Sequence, residues 1–308
     1  MTRTATAVLL MAYGTPRHAD EIEPYYTDIR RGRPPTPEAL ADLVARYDAI
    51  GGLSPLAALT EAQRDALQAE LDSTSPGEFI VDIGLKHAEP KIETTVERLA
   101  AQGIRRIIGL VLAPHFSAYS VGQYLDRATA AAEPHGIEVT GVTSWATEPA
   151  FLEFIAHDLS GRLSRAASPA HVVFTAHSLP QRIIDAGDPY PDELRATASA
   201  IAERLGLREG SDWSIGWQSA GRTPEPWLGP DISEVVDSLA AGGSYRSIIV
   251  SAVGFVADHL EVLYDLDIEA AARASKAGLG FDRTACVNDD HSVFAALAQR
   301  VITAGKTG

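Results

Sequence analysis

The chain reads as an α/β protein of two doubly wound, Rossmann-like domains, each a parallel sheet flanked by helices. Short apolar runs alternate with longer amphipathic stretches along its whole length, the pattern of repeated βα units. Seven of those runs, 7–12, 79–85, 106–112, 138–142, 171–176, 213–218 and 247–253, have the length and apolar density of buried strands. A composition break at 143–149, followed by a long helical pattern over 150–166, divides them into halves of similar content.

The first domain is accordingly expected over 1–148 and the second over 149–285. A C-terminal segment, 286–308, is apolar at helical spacing over 292–302 and is expected to pack back on the first domain. The opening apolar run has a single Arg before it and Gly14-Thr15-Pro16 after it, which describes a strand ending in a turn better than a signal peptide. Between the first two strands lies a long helical insertion, 19–71. It holds the densest basic cluster of the chain, YYTDIRRGR at 25–33, followed by Arg46-Tyr47 and the Gly-Gly-Leu-Ser-Pro turn that contains Ser54. Guanidinium groups bind carboxylates in pairs and stack on rings, so arginines beside tyrosines suit a planar aromatic ligand carrying carboxylates. A solvated loop between helices is the rival account of the same residues.

Bulk properties narrow the function. A net charge of −15 on 308 residues repels phosphate backbones and anionic lipid, so neither nucleic acid nor a membrane surface is an expected partner. No apolar run reaches the length of a membrane helix. One cysteine, Cys286, excludes an internal disulfide framework and a thiolate-held iron–sulfur cluster, and fits a reducing cytoplasm. No G-x-G-x-x-G follows a strand, WQSAG at 217–221 lacks the first Gly of a nucleophile elbow, and H-E-x-x-H does not occur. Dinucleotide, serine-hydrolase and zinc-hydrolase chemistries therefore have no support.

Two features remain. His87, His115, His177 and His259 each stand near the C-terminal end of a predicted strand, where open α/β sheets bind ligands. In 254–270, GFVADHLEVLYDLDIEA, a helical period begins at Asp258 and sets Glu261, Asp265 and Glu269 four residues apart. On an α-helix the three carboxylates share one face, drifting about 40° per step over roughly 12 Å. Like charges at that spacing cost a helix roughly 0.2–0.5 kcal/mol per pair, and neither Glu261 nor Asp265 has a basic partner at i+3 or i+4, Glu269 alone having Arg273 at i+4. A row of oxygen ligands for a divalent cation accounts for this arrangement, as does a capping box from Asp258 to Glu261 with a solvated acidic face beyond it.

Ten stretches taken together resemble the ferrochelatase family, which inserts ferrous iron into porphyrins. They are MAYGTP (11–16), YYTDIRRGR (25–33), RYDAIGGLSPL (46–56), GLKHAEP (84–90), LAPHFSAYS (112–120), TAHSLP (175–180), GDPYP (187–191), WQSAG (217–221), PWLGPD (226–231) and VGFVADHLEVLYDLD (253–267). The form resembled is the short, soluble one of Gram-positive bacteria, which implies a chelatase-like fold, a monomer in the cytoplasm, and coproporphyrin III with Fe2+ as substrates. It further implies no tightly bound cofactor and no iron–sulfur cluster, with transient contacts to neighbouring haem-pathway enzymes at most. Position by position, the resemblance implies that His177 and Glu261 face the porphyrin centre as iron ligand and proton acceptor, in either order. It makes Tyr13 an axial oxygen on the opposite face, and Arg30, Arg46, Tyr47, Ser54 and Tyr124 the grip on propionates and ring edges. Asp265 and Glu269 continue outward from Glu261 as a second cation site or a path for the first. The same resemblance leaves protoporphyrin IX as an alternative substrate. A non-catalytic tetrapyrrole or metal carrier and a cobalt chelatase of the same superfamily are the other readings. The pairing of a ligand with a proton acceptor argues against the first, and the arginine-bearing insertion against the second.

Overall fold

The computed structural model describes residues 5–221 and 223–306, which form two compact units. The first comprises 1–113, 118–144 and 288–308, and the second 114–117 and 145–287.

In the first unit β1 (Thr6–Ala12) is followed by the helical insertion α1 (Ile22–Ile29), α2 (Pro37–Ala49) and α3 (Leu56–Thr74). Then come β2 (Phe79–Leu85), α4 (Ile92–Ala101) and β3 (Arg106–Val111). A π-helical turn, Ala118–Gly122, leads into α5 (Gln123–Ala132), and β4 (Glu138–Val142) closes the sheet. All pairings are parallel and the strand order is β2-β1-β3-β4. Residues 7–11 of β1 are wholly buried, as an inner strand covered on both faces requires. Thr36 starts α2 by accepting the Ala39 N–H (3.3 Å), with Pro37 at the first helical position where its missing N–H costs nothing.

The second unit repeats the plan. It runs α6 (Pro149–Arg165), β5 (Ala170–His177), α7 (Gln181–Asp185), α8 (Tyr190–Leu205), β6 (Trp213–Gln218), α9 (Ile232–Gly242) and β7 (Ser247–Ser251). A π-helical segment, Val262–Ala270, passes directly into α10 (Ala271–Lys276), and β8 (Gly280–Arg283) ends the sheet. Its order, β6-β5-β7-β8, is again wholly parallel. Asp231 caps α9 in a full capping box with Glu234. The last helix, α11 (His291–Lys306), belongs to the first unit, where Val293, Phe294, Leu297, Ala298 and Val301 are fully buried and the helix lies on α3, β3 and β4.

Three expectations need correction. β8 was not anticipated: its four residues, GFDR, form a partly exposed edge strand with no apolar run to announce it. β7 stops at Ser251, two residues early, because the chain turns at once, with the Val253 N–H on the Ser251 carbonyl and the Phe255 N–H on that of Ala252. The acidic segment starts its helix at Leu260 rather than Asp258 and is π-helical from Val262. A π turn closes on i+5, so a spacing of four falls short of a turn where in an α-helix it overshoots. The three acids still share a side, but they drift in the opposite sense to that of an α-helix.

Candidate functional site

An open parallel sheet binds ligands beyond the carboxyl ends of its strands, where the strand order reverses. In the second unit that point lies between β5 and β7, and both strands end in chemistry-bearing residues. His177 is the last residue of β5, and its Nδ1 lies 2.5 Å from the Ser178 carbonyl oxygen. A carbonyl only accepts, so Nδ1 carries the proton and Nε2 is left with its lone pair exposed. The buried Tyr190 hydroxyl holds the strand end by donating to the His177 carbonyl at 3.1 Å. Burial raises the Tyr190 phenol, with Asp188 and Glu261 adding to it, so it serves as a permanent donor.

From β7 the chain crosses to the end of β5 through Gly254, whose N–H donates to the Thr175 carbonyl at 3.0 Å. A Cβ on Gly254 would stand 2.4 Å from the Ala176 Cβ and 2.6 Å from its Cα, so only glycine lets the two backbones come this close. The approach sets Glu261 beside His177, with Oε1 3.8 Å from the His177 Nε2. The other carboxylate oxygen lies 3.7 Å from the Nε2 of His259, whose Nδ1 donates to the Ala257 carbonyl at 2.9 Å. Two imidazole lone pairs thus bracket one carboxylate, at distances beyond a direct hydrogen bond. Electron-rich groups so placed repel one another until a proton or a metal cation enters among them. The His177 and Glu261 side chains are 36% and 40% exposed, so a solute can reach both.

Further along the π segment, Asp265 accepts a 2.5 Å hydrogen bond from the Ser219 hydroxyl. Ser219 sits just past β6 at φ +58°, a left-handed conformation that costs a non-glycine residue on the order of 1–2 kcal/mol. Gln218 donates toward the Glu261 carbonyl (3.5 Å) and accepts from Thr175 (2.9 Å), tying β5, β6 and the π segment together. Glu269 is exposed. Among the described residues no three His, Cys, Asp or Glu side chains are arranged to hold a metal ion. The acids stand as separate stations. Asp258 does not make the capping box: it is ion-paired to Arg283 at 3.1 Å, and Glu261, which precedes the π segment, makes no side-chain cap.

In the first unit the equivalent point lies beyond β1, where Tyr13 is 42% exposed and packs against His87 (4.5 Å between centroids) and edge-on to Tyr25 (6.5 Å). Gly14, at φ +89°, makes the turn after it, and the Tyr25 hydroxyl donates to its carbonyl at 3.1 Å. His87 Nδ1 and Lys91 Nζ both hold Asp28, at 2.7 and 2.9 Å. Burial pushes the Asp28 carboxyl up, but these two bonds outweigh it and leave the group below the usual carboxylate range. Tyr124 is buried, which raises its phenol, and Lys86 Nζ lies 5.1 Å from its ring centre and 2.8 Å from Gln123 Oε1. Burial first, then the charges of Arg127 and Arg31, bring the Lys86 ammonium down to about 8.

The other expected residues serve partly as frame. Arg30 is exposed over the Tyr26 ring at 5.6 Å, and Arg46 lies 3.6 Å from Asp42. Tyr47 is buried with its hydroxyl 3.4 Å from that of Thr15, and Ser54 is buried, accepting the Leu56 N–H at 3.2 Å at the start of α3. His115 is not at an open site: it is 1% exposed in the second unit, its Nε2 2.9 Å from the Thr197 hydroxyl, and burial drops its pKa to about 3. Lys86, Asp28 and Ser219 were not singled out from the sequence. Lys86 and Ser219 each lie next to a strand's last residue, the one signal that pointed at them.

Lys86 yields a measurable consequence. Its folded pKa is below the unfolded one, so between about pH 8 and 10.5 the unfolded chain binds the extra proton and stability rises with pH. The slope from this group is at most about 1.4 kcal/mol per pH unit. Denaturant unfolding of the wild type and Lys86→Met across that range should converge as pH rises, the variant being the more stable at pH 7; parallel curves would contradict the burial.

The comparisons with known proteins show the family and the fold. The ferrochelatase family model matches residues 5–304. The coproporphyrin III ferrochelatase of Oceanobacillus iheyensis is 43% identical over 100% of this chain and 99% of its own length. That of Geobacillus thermodenitrificans is 46% identical over 98% and 96%. A ferrochelatase of Herpetosiphon aurantiacus is 45% identical over 97% and 98%. The fold is that of solved chelatases: SirB from Bacillus subtilis with Fe3+ superposes with a TM-score of 0.59 at 14% identity, covering 98% of this chain and 96% of that one. Among the described residues no helix is long and apolar enough to cross a membrane. The chain belongs to the ferrochelatase family.

Proposed function

We propose that the chain inserts ferrous iron into coproporphyrin III, with His177 and Glu261 at the reacting centre. The observation that carries this is the His177 Nε2 facing a Glu261 oxygen 3.8 Å away while Nδ1 is engaged by the Ser178 carbonyl, an imidazole–carboxylate pair open to a borderline cation. The reaction exchanges one Fe2+ for two pyrrole protons, so the site must first present iron and then accept protons. A neutral imidazole does both, and a carboxylate flanked by a second imidazole at His259 spreads the positive charge that builds up. Asp265, oriented by Ser219, and Glu269 beyond it are the outward stations along which iron is handed in.

In the first unit Tyr13 offers a phenol as an axial oxygen for the iron. Lys86, with Arg30, Arg46, Tyr47, Ser54 and Tyr124, supplies cations and hydroxyls for propionates. Four propionates call for more cationic grip than two, and a Lys86 poised near pH 8 gains charge when a carboxylate docks beside it. The relatives named for coproporphyrin III support that substrate over protoporphyrin IX.

Anaerobic mixing of the protein with Fe2+ and each porphyrin, followed by the absorbance of the metallated product, tests both points. Faster turnover of coproporphyrin III is expected; equal or faster turnover of protoporphyrin IX would overturn the substrate, and no rate above the protein-free control the activity. Glu261→Gln should lower kcat/KM for iron by about 10- to 100-fold, the worth of one charged contact of roughly 1.5–3 kcal/mol. Asp265→Asn should cost less, and the reverse order would overturn the assignment of stations.

A further inference from the structure

The π-helical segment is braced from outside by one side chain. Arg283, the last residue of β8, is 13% exposed and holds Asp267 through both arms, Nε to Oδ1 at 2.7 Å and Nη2 to Oδ2 at 2.9 Å. The same Nη2 lies 3.1 Å from Asp258 Oδ1, an ion pair held by charge, since its angle does not make a hydrogen bond. Nη1 is spent on the Thr284 carbonyl at 3.1 Å, which fixes the guanidinium plane. Asp258 directly precedes His259, and Asp267 lies within the π segment, so the two carboxylates flank every residue of this stretch given a role at the metal centre except Glu269. We infer that Arg283 is a positioning residue for iron delivery: by clamping Asp258 and Asp267 on one guanidinium it sets the length and winding of the segment that presents His259, Glu261 and Asp265.

A π-helix is rare because i→i+5 bonding is worse than α, and its persistence over nine residues calls for an external constraint. Holding Asp267 within the segment and Asp258 ahead of it on a single planar group supplies one, since any slip to α winding shortens the turn and pulls Asp267 off the fork. Lysine carries the charge but has no fork, so it can hold one carboxylate and not both. Arg283 is itself anchored away from the metal residues: Arg162 on α6 pairs with Asp282 at 2.5 Å, and Asp158 accepts the Ala285 N–H at 2.8 Å. A cavity of about 400 Å³ lined by Arg162, Asp258, Asp267, Phe281 and Arg283 opens over the fork, large enough to admit a free guanidinium ion.

The inference rests on the proposed role of Glu261 and Asp265 toward iron. Arg283→Lys should raise the KM for Fe2+ roughly tenfold while the KM for porphyrin, and porphyrin affinity by fluorescence quenching, stay at wild-type values. Asp267→Asn, a milder change at a more exposed residue, should move the iron KM in the same direction, and carries the test should Arg283→Lys fold poorly. Arg162→Lys loosens the anchor of the fork without removing it, and should lower the thermal midpoint while raising the iron KM less than Arg283→Lys does. Millimolar guanidinium should restore the iron KM of Arg283→Ala, whereas sodium at equal ionic strength should not. An unchanged iron KM in both Arg283→Lys and Asp267→Asn, or a rise equalled by Arg162→Lys, would overturn the brace. Should Glu261→Gln also leave the iron KM unchanged, the fault lies with the metal assignment; if Glu261→Gln raises it alone, only the brace fails.

Discussion

His177→Ala is expected to abolish iron insertion while the protein still folds and still binds porphyrin. The imidazole terminates β5, with Nδ1 on the Ser178 carbonyl and its ring 6.4 Å from that of Trp227, and its side chain is a third exposed. Truncation takes this donor from the carbonyl of the buried Ser178, at a cost to stability of about 1–3 kcal/mol, which leaves the fold intact. Losing a positioned proton acceptor costs about 10²- to 10⁴-fold by itself. Loss of an iron ligand comes on top. Stopped-flow absorbance at saturating iron and porphyrin measures the first effect, and quenching of porphyrin fluorescence measures binding. A variant that turns over at the wild-type rate would refute the role given to His177. One that neither binds nor inserts would mean that the histidine organises the porphyrin site rather than the chemistry.

Gly254→Ala should be nearly as damaging, although this residue touches no substrate. The new methyl would meet the Cβ of Ala176 at 2.4 Å and its Cα at 2.6 Å, and the second partner is the backbone of a fully buried residue. The loop must give way, at about 1–3 kcal/mol for an overpacked site. Because the same loop carries Glu261 to within 3.8 Å of His177, the displacement enlarges that gap, and a misplacement of about 1 Å can cost 10²-fold in rate. Ala176→Gly removes only the nearer clash, so the double variant should regain little. Thermal unfolding and turnover measured together decide the matter: activity should fall further than stability explains. Wild-type kinetics in Gly254→Ala would show that the close approach does not position the carboxylate.

Much of this was readable from residue order. β2, β4 and β6, all edge strands, begin and end where their runs do, because Gly- and Ser-bearing turns bound them in the sequence. The pairing of His177 with Glu261 came from the family resemblance of TAHSLP and VGFVADHLEVLYDLD, and the two side chains stand 3.8 Å apart. What escaped was set by contacts distant in sequence. β8 is recognisable only through its pairing with β7, since an edge strand need not be apolar. The π winding differs from α by one hydrogen-bond step and leaves the spacing of acids unchanged. His115 has the same local setting as His177 in sequence, yet Thr197, from a helix 82 residues on, turns it into a core residue. Ser219 was read only as a failed nucleophile, because a left-handed backbone at a serine has no mark in composition.

The placement of α11 has a consequence for the making of the protein. Five of its side chains are fully buried against a unit whose remaining elements all precede residue 145. On a ribosome, domains fold in order of emergence at about 5–20 residues per second. Here the second unit, 145–287, has all its strands in hand before the helix that completes the first has been synthesised. The N-terminal half is thus the first begun and the last finished. For the roughly ten seconds or more that separate these events, the apolar faces of α3, β3 and β4 wait uncovered.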